Sequence, residues 1–266
     1  MVQALPSPEI GTSESSASPA GGSGVTPAFS PLYQQIKELI LRSLQAGEWR
    51  PSEAIPSEIE LAARFRVSQG TVRKAIDELA AENLLIRRQG KGTFVATHAE
   101  QDVQYRFLHL KPDSGDLTSD LPASREIVDC KRIRASSAVA QSLNLQPGES
   151  VLQVRRVLSY AGHPTILEDL WLPATPFKGL TAERLRDYSG PMYAFFEKEF
   201  GVHMVRAEEK IRAVLPDATQ ASLLRISQDT PLLSVERVAF SYNHVPIELR
   251  RGLYLTTRHH YRNDLN

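Results

Sequence analysis

Residues 138–157, AVAQSLNLQPGESVLQVRRV, return 81 positions later as TQASLLRISQDTPLLSVERV (219–238). Ala140 matches Ala221, Leu143 matches Leu224, Leu152 and Val154 match Leu233 and Val235, and Arg156-Val157 matches Arg237-Val238. Each copy then passes through a turn into a strand containing proline, GHPTILEDLWL in one and NHVPIELRRGLYL in the other. Each unit therefore reads helix, turn, strand, hairpin, strand. A stacked solenoid needs about three or more repeats to cover its open faces. Two copies instead predict one antiparallel sheet with pseudo-twofold character, in an α+β domain spanning residues 104–262.

The chain before it follows another plan. Residues 1–29 are dominated by Ser, Gly, Pro and Ala, too poor in large apolar groups to offset the entropy of ordering, and are expected to be a disordered tail. From Pro31, the spacing of Leu32, Ile36, Leu39, Ile40 and Leu44 predicts a helix with one apolar stripe, stopped near Gly47. A second helix is predicted over Glu58–Phe65 with Ile59, Leu61 and Ala62 inward, where Ser57 as N-cap and Glu60 at N3 form a capping box. After a short break, Ser68 caps a third helix that carries Val72, Ile76 and Leu79. Strands around Leu84–Arg87 and Thr93–Val95 flank the octet RRQGKGTF. These elements form a unit over residues 30–96, with 97–103 as linker.

Two helices joined by so tight a turn, followed by a basic hairpin, have the order of a winged helix-turn-helix. A recognition helix reads base edges with its first residues and grips phosphate with N–H groups and cations. Ser68, Gln69, Gly70, Thr71, Arg73 and Lys74 occupy that part of the third helix, and Ser57 heads the helix before it. Gln69 suits adenine, and Arg73 suits guanine or phosphate. Gly70 is costly within a helix unless a backbone must come close to a duplex. The hairpin residues Arg87, Arg88, Gln89, Gly90 and Lys91 suit an adjacent minor groove. Either element alone is an ordinary solvated surface; in this order they point to double-stranded DNA. With 31 basic and 31 acidic residues the chain as a whole has no pull on polyanions, so any such binding is local.

Other chemistries find little support. The single cysteine, Cys130, has no disulfide partner and no base partner evident in the sequence. His259 and His260 are adjacent and point to opposite faces of a strand, a poor metal geometry. No metal site, cofactor or catalytic residue is expected, and GKGT does not complete a phosphate loop. No apolar run approaches the roughly 20 residues of a membrane span, and the N-terminus lacks a secretory pattern, so a cytoplasmic protein with no membrane partner is expected.

The stretch IPSEIELAARFRVSQGTVRKAIDELAAENLLIRRQGKGTFV (55–95) closely resembles the winged helix-turn-helix of GntR-type bacterial transcription regulators. The Pro-Ser-Glu start, the VS-x-x-TVR-x-A core and the R-x-G-x-GTFV wing are all present. Many relatives have Arg at the position of Gln69, and some have a DNA-contacting Arg at that of Ile59, which bears on the operator sequence. The duplicated C-terminal region resembles the HutC-type, or UTRA, effector domain, with its chorismate-lyase-like fold. This resemblance implies a homodimer on a palindromic operator, a repressor whose DNA binding responds to a small metabolite. It places Arg156 and Glu168 where family members bind effector, with Tyr254 and Arg258 of the last strand as further candidates. Leu158 replaces a second Arg of sugar-phosphate-binding relatives, which argues against a phosphosugar. An ordinary cross-strand ion pair is the alternative for Arg156 and Glu168. The alternative for the whole chain is a chorismate-lyase-like enzyme with an accessory winged domain, and a further one is a DNA-binding protein without effector.

Overall fold

The computed structural model of the chain describes residues 30–97, 110–113 and 124–263. The expected tail, and the expected linker apart from Thr97, lie outside the described residues.

Helix α1 (Leu32–Gln45) buries Ile36, Ile40 and Leu44 on its stripe, while Leu32 and Leu39, expected on the same stripe, stay exposed. Gly47 follows it at φ +69°, a left-handed stop. Helix α2 (Glu58–Phe65) has the capping box: the Ser57 side chain accepts from the Glu60 N–H, and the Glu60 carboxylate accepts from the Ser57 N–H at 2.8 Å. Leu61 is buried, but Ile59 is 68% exposed, so that expected inward residue points out. Arg66 then takes φ +55° and turns the chain into α3 (Gln69–Ala81), capped by Ser68 and burying Val72, Ala75, Ile76 and Leu79. Strands β1 (Leu85–Arg88) and β2 (Gly92–Val95) close an antiparallel hairpin, with Arg88 paired to Gly92. These elements share one apolar core that includes Trp49, Ile55, Leu84 and Val95.

The second part is a six-stranded antiparallel sheet. Its strands are β4 (Ser124–Arg134), β5 (Ser150–Tyr160), β6 (His163–Pro173), β7 (Arg206–Val214), β8 (Leu232–Phe240) and β9 (Pro246–Tyr254), in the order β4-β5-β6-β9-β8-β7. Helix α4 (Ser137–Ser142) follows β4, and α7 (Ala218–Leu224) follows β7. Each half is thus strand, helix, strand, strand, and the halves meet where β6 pairs with β9, which is the symmetry that the repeat predicts. Two further helices, α5 (Ala182–Asp187) and α6 (Met192–Phe200), link the halves and cover one face, where Leu185, Phe195 and Phe196, with Phe177 of the preceding loop, pack onto Val154, Leu170 and Ala239. A short pair, β3 (Leu110–Pro112) with β10 (His259–Tyr261), adds Leu110 to a second apolar cluster with Leu158, Ile166 and Tyr254.

The opposite face carries α4 and α7 on separate apolar clusters, one around Trp171 and Leu249 and one around Val157 and Leu167. A ladder of register partners runs across all six strands of this face: Asp129, Arg155, Asp169, Arg251, Glu236 and Lys210. The signs alternate at every step. Arg155 binds Asp169 at 2.7 Å and Arg251 binds Glu236 at 2.8 Å.

Candidate nucleic-acid interface and effector site

The start of α3 and the hairpin tip are both open to solvent. Ser68, Gln69, Gly70, Arg73 and Lys74 are exposed and Thr71 is half-buried; in the wing, Arg87, Gln89, Gly90 and Lys91 are exposed and Arg88 is half-buried. Gly90 (φ +71°) and Gly92 (φ +109°) make the turn. The Ser68 hydroxyl caps the Thr71 N–H at 3.2 Å and sits 2.8 Å from the Thr71 hydroxyl. Lys74 leans over the Tyr33 ring, and Arg88 lies on Phe94, 4.7 Å from the ring centre.

One residue the sequence reading did not single out organises this surface. Glu58, at the head of α2 and only 14% exposed, accepts from Gln69 (3.2 Å), Arg73 (2.9 Å) and Arg87 (3.0 Å). It thereby brings helix and wing residues together. The Arg73 bond, with that of Arg87, holds its carboxyl below the usual carboxylate range. Arg87 also binds Asp77 at 2.6 Å. Ser57 is exposed beside Glu58, occupied as the α2 cap.

In the sheet, the face under α6 carries a buried row of charges between its two apolar clusters. Arg156 and Glu168 are register partners on β5 and β6, joined at 2.6 Å, with Glu168 fully buried. Glu168 also accepts from Arg250 (3.1 Å) on β9, and Arg250 binds Glu248 at 2.9 Å. Glu248 accepts from the Tyr193 hydroxyl of α6 at 2.8 Å. Arg237 binds Glu209 of β7 at 2.6 Å, and Glu209 also accepts from Tyr261. Burial works against ionising Glu168, but the guanidiniums of Arg156 and Arg250 overcome it and hold the carboxyl at about 2.

The cross-strand ion pair, the alternative reading of Arg156 and Glu168, is therefore present. Tyr254 is buried on the same face beside this row, at the end of β9. Arg258 is not: β9 ends at Tyr254, and Arg258 is exposed in the turn before β10, where its carbonyl accepts from the Asp113 N–H. A strand continuing through Arg258 is thus corrected. Arg237, Arg250, Glu248 and Tyr193 were missed, although the repeat marks two of them. Arg237 is the copy of Arg156, and alignment of Pro164 with Pro246 makes Arg250 the counterpart of Glu168.

A large cleft lies elsewhere. It holds about 1580 Å³ between Leu44, Trp49 and Thr97 on one side and Glu197, Tyr242 and Ile247 on the other, and none of the four expected effector residues lines it. Its walls are fastened by a 2.5 Å bond from Thr97 to Glu197 and by Tyr242, which joins the apolar core of the winged part. We read it as the joint between the two parts, because the convergent buried charges are in the sheet and not there. His260 binds Asp113 and His259 lies against Tyr160, and among the described residues no group of three or more ligating side chains forms a metal site. Burial raises the thiol pKa of Cys130, the opposite of an activated nucleophile.

A helix-turn-helix whose wing and second helix are exposed together, joined to a duplicated sheet with a charged interior, defines a DNA-binding regulator with a sensing domain. A family profile described as "Bacterial regulatory proteins, gntR family" matches residues 32–95, and one described as "UTRA domain" matches residues 120–260. The chain is 32% identical over 80% of its length, and 85% of the other, to the mannosyl-D-glycerate transport/metabolism system repressor of Escherichia coli. It is 30% identical over 82% of its length, and 88% of the other, to the histidine utilization repressor of Klebsiella aerogenes. The ligand-binding domain of a GntR-family regulator from Bordetella bronchiseptica is 48% identical, with a TM-score of 0.58, covering 61% of this chain and 99% of that one. The chain belongs to the GntR family of bacterial regulatory proteins and carries a UTRA effector domain. It is a DNA-binding transcriptional regulator, and the named relatives are repressors, not enzymes.

Proposed function

We propose that the chain is a repressor that binds a palindromic operator as a homodimer in the cytoplasm, releasing or tightening its grip when a small metabolite enters the C-terminal part. In this reading residues 30–96 form the DNA-binding domain and 104–262 the effector and dimerisation domain. Ser57, Ser68, Gln69, Gly70, Thr71, Arg73 and Lys74 face the major groove, and Arg87, Arg88, Gln89, Gly90 and Lys91 its neighbour. The observation that carries this reading is the exposure of the α3 start and the wing tip together, tied through Glu58.

Arg156, Glu168 and Tyr254 supply the effector site, joined by Arg237, Arg250, Glu248 and Tyr193; Arg258 is exposed in the turn before β10. The buried charges already satisfy one another, so an effector must exchange its own groups for one of these pairs. Such an exchange shifts the protein only if the ligand binds two arrangements with unequal affinity. The compounds named for two relatives, mannosyl-D-glycerate and histidine, each carry a carboxylate. No helix among the described residues is long and apolar enough to cross a membrane.

The test is operator binding against salt. Arg73→Ala should weaken binding and, for a phosphate contact, lower the log–log salt slope by about 1. Unchanged affinity and slope would remove α3 from the groove. A genomic footprint repeated with candidate metabolites tests the effector half.

A further inference from the structure

Ile59 is the most exposed large apolar side chain among the described residues. It stands second in α2, between Glu58 and Glu60, on the side of the helix away from the buried Leu61. Nothing in the helix asks for it. A first turn favours Asp and Glu, which answer the positive end of the dipole, and a β-branched residue loses rotamer freedom there. The capping bonds run between Ser57 and Glu60 and pass it by. The other exposed residues of α2, Glu60, Ala63 and Arg64, add no second large apolar group.

A single surface isoleucine is ordinary in itself; its place is not. The residue before it, Glu58, holds Gln69 at 3.2 Å and Arg73 at 2.9 Å, two side chains of the groove-facing start of α3. Consecutive Cα atoms lie about 3.8 Å apart, close to the rise of about 3.4 Å per base pair. With α3 in the major groove, Ile59 therefore stands within about two base pairs of the pair that Gln69 meets. The apolar group that a base pair presents in that groove is the thymine C5 methyl, and the rest of the edge carries donors and acceptors. Isoleucine has neither, so over any other edge it would cover polar atoms without pairing them. A protein partner fits worse, since a specific interface takes about 800 Å² from each side and this face offers one apolar side chain.

We propose that Ile59 determines operator specificity by packing on the C5 methyl of a thymine within about two base pairs of the pair read by Gln69. This rests on α3 lying in the major groove. Ile59 supplies discrimination between bases and no attraction to phosphate, a division of labour with Arg73.

The full-length protein, used to select duplexes from a random-sequence pool, provides the test. The enriched sequence is resynthesised with each thymine in turn replaced by deoxyuridine, which lacks only the methyl. Wild-type binding should weaken about fourfold at one thymine of the bound element, the worth of taking one methyl out of water. Ile59→Ala should bind the thymine and deoxyuridine forms alike, and Ile59→Val should keep most of the preference. The log–log salt slope of Ile59→Ala should match the wild type, because a methyl contact releases no counterion. Position 59 is exposed and alanine is the best helix former, so the fold is kept. A selected element in which no thymine depends on its methyl, or a dependence undiminished in Ile59→Ala, overturns the contact. If Arg73→Ala lowers affinity and salt slope while Ile59→Ala leaves the thymine preference intact, the contact fails and α3 keeps its place in the groove. Unchanged operator binding by Ile59→Ala with repression lost in cells overturns it in favour of a protein partner.

Discussion

Glu58 accepts hydrogen bonds from Gln69, Arg73 and Arg87, and so occupies the ground that a phosphate would take if α3 enters a groove. It holds these side chains in one place and cancels part of the charge of the two arginines. Glu58→Gln keeps the size and loses the anion. A unit charge at contact range in a water-like medium is worth about 1 kcal/mol, so binding to random-sequence DNA at low salt should tighten about fivefold. Filter binding to operator and to random duplex should show the ratio between them shrinking. Glu168 gives the corresponding prediction for the sheet. Its carboxyl sits at about 2, below the ordinary 4.5. A depressed value in the folded state means that its stabilisation is complete above the ordinary pKa and drains away as pH falls toward the folded one. Denaturation midpoints of the wild type should therefore drop between about pH 5 and 2. Glu168→Gln should flatten that dependence and cost about 3–5 kcal/mol at pH 7, because Arg156 and Arg250 are left buried without their shared anion.

At the scale of elements, much of the winged part was legible because its signals are local. A cap, a glycine stop and an apolar period are each written within a few residues, and α2 runs from Glu58 to Phe65 as the capping box implies. Ser57→Ala should lower stability by about 1 kcal/mol in urea unfolding, the usual cost of losing such a cap. Gly92→Ala should cost about 1–3 kcal/mol. Its φ of +109° suits only glycine, and open space around it leaves the backbone as the sole source of that cost. What failed was the edge of each stripe: Ile59, Leu32 and Leu39 fit a helical period yet face solvent. Period alone says which residues share a face, and not how wide the buried part of that face is. The pseudo-twofold antiparallel sheet was legible from the repeat, but its edge strands β4 and β7, which precede the two copies, and α5 and α6, which lie between them, were not. Tyr193 reaches Glu248 across 55 residues, a contact that no local pattern announces.

For the molecule as a whole, the joint between the parts is small and specific. Tyr242, on the loop between β8 and β9, is buried in the core of the winged part, together with Val205 at its edge. The two tryptophans report on the parts separately, Trp49 from the winged core and Trp171 from the sheet. In single-tryptophan proteins, Tyr242→Ala should lower the melting seen by Trp49, by about 3 kcal/mol, and leave that seen by Trp171 nearly unchanged. Equal movement of both signals would mean that the joint couples the parts more tightly than its contacts suggest.

The alternating ladder on the helix-bearing face of the sheet has a use beyond the pairs it forms. A strand displaced by a single residue turns its apolar side outward and is rejected by the hydrophobic effect. A displacement of two residues escapes that penalty, since every side chain keeps its face. Along Asp129, Arg155, Asp169, Arg251, Glu236 and Lys210, opposite charges stand across every strand junction only when all six strands are in step. The row thus behaves as a vernier, proofreading the alignments that oil and water cannot tell apart.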